Sequence, residues 1–407
     1  MNLPFFIARR YFLSKRKKNF INVISILSMV GIAFSTAALI IVLSVFNGIE
    51  DLLRTLNKSF DPELKIEPAK GKSFIADPTF INRIKKVSGV GIVTEVIEDF
   101  AYVRYRDADI VVTIKGVSDN YIDQHRIDSS IVEGKLRLKE NGTNFAIIGR
   151  GIADVLSVAV DDDMHAIQVF YVKNVSASTL DPSQLYSRKS IRPGAIFSIE
   201  KTLDESYIVL PLDFARELLD YGDKRTSLEV KVAAGVSVES VQKKLKETLG
   251  DSFNVLTNEE QHQDLYKLLK LEKLFGFMAM TLLIVIGSIN IFFSLMMLVI
   301  DKRKDISVLV AMGADSNLIK RIIVAEGTLI SVIGSFTGLV LGALICWAQD
   351  RFGMVGMGMA NAVIPDYPVK LIWTDLALVC AVMIVITLAI SFHPASRAAK
   401  SYSIGEL

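Results

Sequence analysis

Four long apolar runs restrict what this chain can fold into. A helix needs about 20 apolar residues to cross the ~30 Å hydrocarbon core of a bilayer. Three of the runs meet that length, and the fourth reaches it with flanking residues such as Leu371. The sequence therefore predicts a polytopic α-helical membrane protein with four transmembrane helices. The runs are residues 20–46, 274–300, 322–349 and 376–392.

The first run follows a basic segment, as the apolar core of a signal peptide does. Such a core is only ~7–15 residues long, whereas no charged residue occurs from position 20 to position 46. We therefore expect the first run to be an uncleaved membrane anchor.

Composition argues against several classes of function. The cysteines, Cys346 and Cys380, lie inside apolar runs, so they cannot form a disulfide framework, and the four histidines lack metal-ligand spacing. The letters GKS at 71–73 end like a phosphate-binding loop, but Ile66 stands where that motif requires glycine. No nucleophile-and-base arrangement is evident. We expect no enzyme activity, metal or cofactor in this chain, and ATP bound only by a partner subunit.

Lysine and arginine in short flanking segments predict the orientation. They are abundant before residue 20 and between 301 and 321, and the tail adds Arg397 and Lys400. In 350–371, by contrast, Arg351 and Lys370 are accompanied by Asp350 and Asp366. Both termini are therefore expected in the cytoplasm of an inner-membrane protein. The predicted order is a cytoplasmic basic arm (1–19), span one (20–47), an extracytoplasmic domain (48–272), span two (273–300), a cytoplasmic loop (301–320), span three (321–349), a short outer loop (350–371), span four (372–393) and a cytoplasmic tail (394–407).

The large segment 48–272 carries alternating strand and helix patterns. Strands are predicted at 63–68, 100–106, 227–235 and 253–257, with helices at 78–87 and 237–250. Ser237 and Gly250 suit the two ends of the second helix. We predict a two-lobed α/β domain whose first lobe combines both ends of the segment and whose second lobe is 121–226. A leucine-rich helix from 259 is expected to continue into span two as a rigid stalk.

The cytoplasmic loop reads DKRKDISVLVAMGADSNLIKR, and its apolar residues can share one helical face. Gly313 can end this helix, and Asp315 or Ser316 can cap the next one. Two interpretations have equal weight: a short surface helix, or a coupling helix that inserts into a groove of a cytoplasmic ATPase. The candidate face comprises Ile306, Leu309, Val310 and Met312.

Span three contains two further features. Gly334, Gly338 and Gly342 form a ridge of small residues that permits close helix packing, which we assign to a neighbouring span of the same chain. Glu326 lies near the cytoplasmic end, where we expect its carboxylate to snorkel to water.

Three segments resemble one family. Residues 9–50 resemble the N-terminal part of the lipoprotein-releasing LolC/LolE permeases. The loop DKRKDISVLVAMGA and the tail HPASRAAKSYSIGEL resemble motifs of the wider MacB/FtsX-type superfamily, to which those permeases belong. Asp305 replaces the usual glutamate of the loop motif, and Ser403 replaces the usual proline of the tail. The order of one span, a large domain and three spans also matches. The resemblance covers the whole chain and is most specific at its N-terminal part.

The resemblance implies an ATP-driven transporter that extracts acylated lipoproteins from the outer leaflet and passes them to a periplasmic chaperone. Its partners would be a cytoplasmic ATPase dimer, a second permease subunit (the same or homologous), lipoproteins, the chaperone and membrane lipids, with no nucleic acid. ATPase coupling would involve Arg303, Ile306, Leu309, Val310 and Gly313. A chaperone-recruiting hook would fall at 173–194, with Arg188, Lys189, Arg192 and Pro193. An acyl-chain cavity would involve Leu43, Val45, Phe46, Phe275, Phe277 and Met278.

Two alternatives remain open. An FtsX-like regulator would relay ATPase motion to cell-wall hydrolases, and a MacB-like subunit would export drugs or peptides. The 225 residues of 48–272 exceed the typical FtsX-type outer domain, and only about 19 residues precede the first span, where MacB types typically carry a fused ATPase. Both features favour the lipoprotein-releasing class.

Overall fold

The computed structural model describes residues 3–12, 20–160, 162, 164–172, 186–357 and 366–401. These residues divide into two compact units. The helix bundle holds the described residues up to Leu52 and from Lys267 onward, and the sheet domain is Leu53–Tyr266.

The helices are α1 (Leu3–Phe12), α2 (Phe20–Phe60), α3 (Pro78–Lys85), α4 (Arg150–Leu156), α5 (Lys201–Asp204), α6 (Leu212–Leu219), α7 (Val238–Leu249), α8 (Asn258–Gln261), α9 (Gln263–Asp301), α10 (Arg303–Ala311), α11 (Ser316–Phe352) and α12 (Trp373–Ser401). The strands are β1 (Leu64–Pro68), β2 (Phe74–Ile75), β3 (Val90–Tyr105), β4 (Ala108–Val117), β5 (Ile131–Gly134), β6 (Lys139–Glu140), β7 (Thr143–Gly149), β8 (Ile167–Val172), β9 (Tyr186–Phe197), β10 (Tyr207–Pro211), β11 (Lys224–Arg225), β12 (Ser227–Val232) and β13 (Phe253–Thr257). Short 3-10 turns occur at Asp119–Gln124, Asp128–Ser130 and Gly250–Ser252.

Four helices in the described part of the chain are long and apolar enough to cross a membrane, namely α2, α9, α11 and α12. The helix α9 runs without interruption from Gln263 into span two, which confirms the predicted continuation of the leucine-rich segment. The predicted start at 259 is wrong, because Asn258–Gln261 form the separate short helix α8 and the chain leaves the helical conformation at His262. The helix α2 likewise runs on to Phe60, because Leu53 and Leu56 continue its apolar spacing beyond the span.

Close packing of α2 against α11 explains the ridge of small residues in span three. A Cβ at Gly338 would lie 2.3 Å from the carbonyl oxygen of Ala33, and Gly334 and Gly342 make similarly close approaches to α2. The ridge therefore packs within the same chain, as predicted. Its partner surface on α2 includes Ile32 and Ala37.

The first lobe of the sheet domain is assembled from both ends of its segment, which confirms the prediction. The strand β1 pairs antiparallel with both β12 and β13, and β12 pairs antiparallel with β3. The order β13-β1-β12-β3, with α3 and α7 as the connecting helices, is a ferredoxin-like arrangement. The side chain of Ser237 caps α7 by accepting from the Ser240 amide, and Gly250 ends it at φ +64°, both as predicted.

The second lobe shares the long strand β3 with the first. From β3 the sheet continues through β4, β10, β7 and β9 to β5. The strand β8 pairs with both β3 and β9, which closes six strands into a ring. The two predicted lobes therefore form one continuous sheet, because β3 is 16 residues long and serves both. The buried interior of this part includes Val103, Ile148, Val169 and Ile208.

A largely buried ion network fixes the end of α2 in the sheet domain. The Lys115 ammonium lies 2.6 Å from the Glu229 carboxylate, and Arg126 also pairs with Glu229. Arg126 donates to the carbonyl oxygen of Phe60 at 2.7 Å, and Lys115 Nζ lies 4.5 Å from the centre of the Phe60 ring. Burial favours a neutral lysine, but Glu229 and Glu98 raise the pKa of Lys115 above its usual value. Loss of Glu229 would remove the carboxylate that Lys115 and Arg126 share and leave Lys115 only Glu98, 3.5 Å away, at a cost of about 3–5 kcal/mol.

Candidate coupling and substrate sites

The predicted coupling segment forms the short helix α10, between α9 and α11. Gly313 follows it with φ +94°, a conformation that favours glycine. The carboxylate of Asp315 then accepts from the Leu318 amide and caps α11. The capping scheme predicted from the sequence is confirmed, with Asp315 as the capping residue.

The two faces of α10 have different surroundings. Ile306 is only 5% exposed and belongs to the hydrophobic core of the helix bundle. Leu309 and Val310 are half-buried, and Val310 packs against the same core. In contrast, Val308 is 58% exposed and Met312 is 71% exposed. Val308 and Met312 are four positions apart in the sequence, so their side chains are neighbours on the outward face.

This arrangement changes which residues of α10 are available to a partner. The apolar face predicted for the ATPase groove, with Ile306, Leu309 and Val310, lies against the chain's own bundle. Arg303 is exposed at the start of the helix. The available apolar surface consists of Val308 and Met312, of which only Met312 belongs to the candidate face predicted from the sequence. Periodicity identified the helix but not which side the bundle covers.

The predicted hook region is part strand. Residues 173–185 lie outside the described residues, whereas Tyr186–Phe197 form β9. The described part of the predicted hook segment 173–194, residues 186–194, is therefore strand and not loop, because it pairs with β8 and β7. Pro193 is buried within the strand.

The alternation of β9 separates the four predicted hook residues. Arg188 and Arg192 are exposed and point to the solvent side of the sheet. Lys189 points to the other side, where it pairs with Glu217 and lies 5.6 Å from the Phe214 ring centre. Of the four predicted hook residues, only Arg188 and Arg192 therefore lie on the solvent side of the strand.

An exposed aromatic surface lies beside these arginines. Val111, Tyr102, Phe170 and Arg188 are aligned across four neighbouring strands. The Arg188 guanidinium lies 6.0 Å from the Phe170 ring centre, a cation–π contact. We call this surface the aromatic face; its residues are Phe100, Tyr102, Val111, Phe170, Val172, Tyr186 and Arg188. The alternation of side chains in 100–106 (FAYVRYR) and 165–172 (HAIQVFYV) indicates two strands. It does not indicate that β8 pairs with β3, and the aromatic face depends on that pairing.

The predicted acyl contacts divide between the interior and the surface of the bundle. Leu43 is 2% exposed in the bundle core, and Phe277 packs against that core. Val45 and Phe46 are half-buried, and a Cβ at Gly276 would meet the Phe46 ring at 2.8 Å. Two residues face outward, and they are Phe275, 62% exposed, and Met278, 48% exposed.

A polar cluster joins three helices at the end of the bundle near these residues. The Asn47 amide donates to the Asp375 carboxylate at 2.7 Å and accepts from Lys273 at 2.7 Å. Lys273 also pairs with Asp375 at 3.2 Å. The cluster links α2, α9 and α12, and the side chain of Asn47 is buried at 3% exposure. These residues were not predicted from the sequence as a site.

Glu326 does not reach the surface of the bundle. Its side chain is 3% exposed, and its Oε2 atom has no hydrogen-bond partner in the part of the chain that the structure describes. The expectation that it snorkels to water is wrong, because it lies ten residues into α11 on the side covered by α12 and α9. The neighbouring Gly327 approaches Ser391 and Leu295 of those helices.

Comparison with known proteins establishes the family. A family model described as MacB-like periplasmic core domain matches residues 25–248, more than half of the chain. The chain belongs to this family. A second model, FtsX-like permease C-terminal, matches residues 277–402. No group of three or more potential metal ligands was found among the described residues.

Named relatives of the permease match along most of their length. The lipoprotein-releasing system transmembrane protein LolE of Haemophilus influenzae is 27% identical over 98% of each chain. The corresponding LolC of Buchnera aphidicola is 24% identical over 85% of this chain and 84% of its own. That of Neisseria meningitidis serogroup B is 22% identical over 98% and 97%. The predicted resemblance to the LolC/LolE family is confirmed, and the permease is a multi-pass inner-membrane protein of ABC-transporter type.

Proposed function

We propose that this permease releases acylated lipoproteins from the outer leaflet of the inner membrane and passes them to a periplasmic chaperone. The energy comes from a cytoplasmic ATPase dimer, and a second permease subunit completes the transporter. The observation that carries the proposal is the similarity to LolE and LolC proteins over nearly the whole chain, including both the sheet domain and the bundle. An FtsX-like regulator is the alternative from another class.

The outward face of α10 supports the ATPase contact. Val308 and Met312 present two adjacent apolar side chains, which is the pattern that a helix-in-groove contact needs. Gly313 and the Asp315 cap fix the connection to α11, so a displacement of α10 would move span three. In this proposal the ATPase binds ATP and the permease holds no cofactor.

Acyl chains gain little free energy by leaving lipid for an equally apolar protein surface. Extraction therefore requires a cavity whose shape changes during the ATPase cycle. Phe275 and Met278 are candidates to line that cavity, because both are exposed on α9. Val45 and Phe46 are candidates on the facing part of α2 of the second permease. Leu43 does not line the cavity directly, because it is buried in the bundle core.

The aromatic face supports chaperone recruitment. It presents aromatic rings with Arg188, and Arg192 lies further along the same side of β9. Aromatic residues and arginine are the side chains most enriched in binding hot spots. In this proposal the chaperone docks on the aromatic face. Lys189 and Pro193 do not contact it and contribute only to the packing of β9.

Site-specific photocrosslinking tests lipoprotein release. A photoreactive residue at Met278, in permease assembled with its ATPase, should crosslink to lipoprotein, and ATP should abolish the crosslink. The same residue at Val45 should behave alike. Leu43 is the matched control, because its 2% exposure predicts no crosslink. Crosslinks from Met278 and Val45 to phospholipid alone, with or without ATP, would reject the proposal and favour a regulator that transports nothing.

A further inference from the structure

The N-terminal helix α1 has an unusual distribution of exposed side chains. Leu3, Phe5 and Phe6 are 53%, 51% and 42% exposed in its first turn and a half. Arg9 and Arg10 are exposed at its end. Each arginine lies four residues after an exposed phenylalanine, so each aromatic ring has a cation one turn further along the same side.

The helix α1 is fixed against the membrane-spanning part of the chain. It packs along α11, and Ala8 is fully buried at 0% exposure. The span helix α2 begins at Phe20, eight positions after Phe12. Eight steps of extended chain cover at most about 29 Å, so α1 cannot lie far from the bilayer surface.

The end of the bundle to which α1 belongs is strongly cationic. Ser25 of α2 bonds to Ser294 of α9, and Ser331 of α11 bonds to Thr387 of α12. These contacts place the start of α2, the end of α9, the start of α11 and the end of α12 at one end. The residues there whose side chains the structure describes include eight lysines and arginines and three aspartates. They are Arg9, Arg10, Lys302, Arg303, Lys304, Lys320, Arg321 and Arg397, with Asp301, Asp305 and Asp315.

We propose that α1 is an interfacial helix that binds anionic phospholipid headgroups through Arg9 and Arg10, with Leu3, Phe5 and Phe6 inserted at the headgroup boundary. Exposed apolar side chains and neighbouring arginines are the two features that bind an amphipathic helix to an anionic bilayer. The charge excess at this end complements a lipid phosphate. It selects phosphatidylglycerol-like lipids over zwitterionic ones by direct contact and by the local positive potential.

Lipid binding to the purified full-length permease tests this inference without ATPase or lipoprotein, so its outcome is independent of the proposed transport function. In detergent micelles, binding of phosphatidylglycerol and of phosphatidylcholine is measured by native mass spectrometry, and the thermal unfolding midpoint is followed in parallel. The wild type should prefer phosphatidylglycerol, and added salt should weaken that preference. Replacing Arg9→Gln and Arg10→Gln should weaken phosphatidylglycerol binding about fivefold per arginine and leave phosphatidylcholine unchanged.

Matched variants separate the charge from the apolar contribution. Lys85→Gln with Lys86→Gln removes two adjacent exposed cations from the sheet domain and should leave the preference intact. Phe5→Ser with Phe6→Ser should weaken both lipids alike.

Three results would overturn the inference. The first is equal phosphatidylglycerol binding by wild type and the double arginine variant. The second is displacement of the lipid by inorganic phosphate alone. The third is loss of ATPase co-purification in that variant with lipid binding unchanged, which would make an acidic surface of the ATPase the occupant of α1.

Discussion

His262 lies between α8 and α9, and its Nε2 atom is 2.6 Å from the carboxylate of Asp61, just after the end of α2. Nearby, Arg54 pairs with Glu259, and Asn57 lies within 3.4 Å of the Tyr266 hydroxyl. These contacts join the last turns of α2 to the start of α9 within the sheet domain. The end of α2, where the chain enters the domain, is therefore bonded directly to the α8–α9 segment, where the chain leaves it.

The ion pair makes this connection dependent on pH. The hydrogen bond that His262 donates to the Asp61 carboxylate raises the pKa of His262 above its usual value, against the opposing effects of burial and of Lys65. A raised pKa means that the folded protein holds the proton more tightly. The stabilisation is therefore complete below the unfolded value of about 6.5 and is lost as the pH rises through the folded value.

The first prediction uses His262→Gln, which retains a hydrogen-bonding side chain without the charge. The thermal unfolding midpoint of the wild type should exceed that of the variant most at pH 5.5, and the difference should shrink toward pH 8.5. The effect should be about 1 kcal/mol or less, because the ring is a third exposed. In an Asp61→Asn background the same substitution should have no pH-dependent effect. A difference that grows with pH would contradict this account.

At the scale of single elements, the sequence predicted local structure well wherever the cause was local. The caps at Ser237 and Asp315 and the glycine at 313 depend on residues three or four positions apart. The orientation of α10 depends instead on α9 and α11, which lie at its two ends in sequence but fold over one side of it. Hydrophobic spacing identified a helix with apolar residues, but Ile306 and Met312 are distinguished only by that packing.

The second prediction follows from this distinction. Met312→Asp should abolish ATPase co-purification while the thermal unfolding midpoint is unchanged, because its side chain is 71% exposed. Ile306→Asp should instead lower the midpoint, since a buried carboxylate costs several kcal/mol. Met312→Leu serves as the conservative control and should retain the ATPase. Normal co-purification with Met312→Asp, together with its loss in a folded Leu309→Asp variant, would assign the contact to the inward face.

At the scale of the whole molecule, the sequence predicted the number of spans, the insertion of a large α/β domain and the pairing of its two ends. These features follow from long apolar runs and from repeated strand–helix patterns. The ring formed by six of the strands could not be predicted, because it depends on β8 pairing with β3 across about 65 residues of sequence. For the same reason the aromatic face was missed, since its residues come from separate strands.

Orientation in the membrane is the remaining prediction, and it rests on charge. Arg9, Arg10 and the cations of 302–321 lie at one end of the bundle, and cations of this kind are retained on the cytoplasmic side. The sheet domain, inserted between α2 and α9, would then be periplasmic. A reporter active only outside the cytoplasm should be on when fused after Lys201 and off when fused after Leu407. A fluorescent protein that matures only in the cytoplasm should give the reverse pattern. If the Lys201 fusion is silent while the Leu407 fusion is active, then α10 faces the periplasm and cannot meet a cytoplasmic ATPase, and the proposed function fails with the topology.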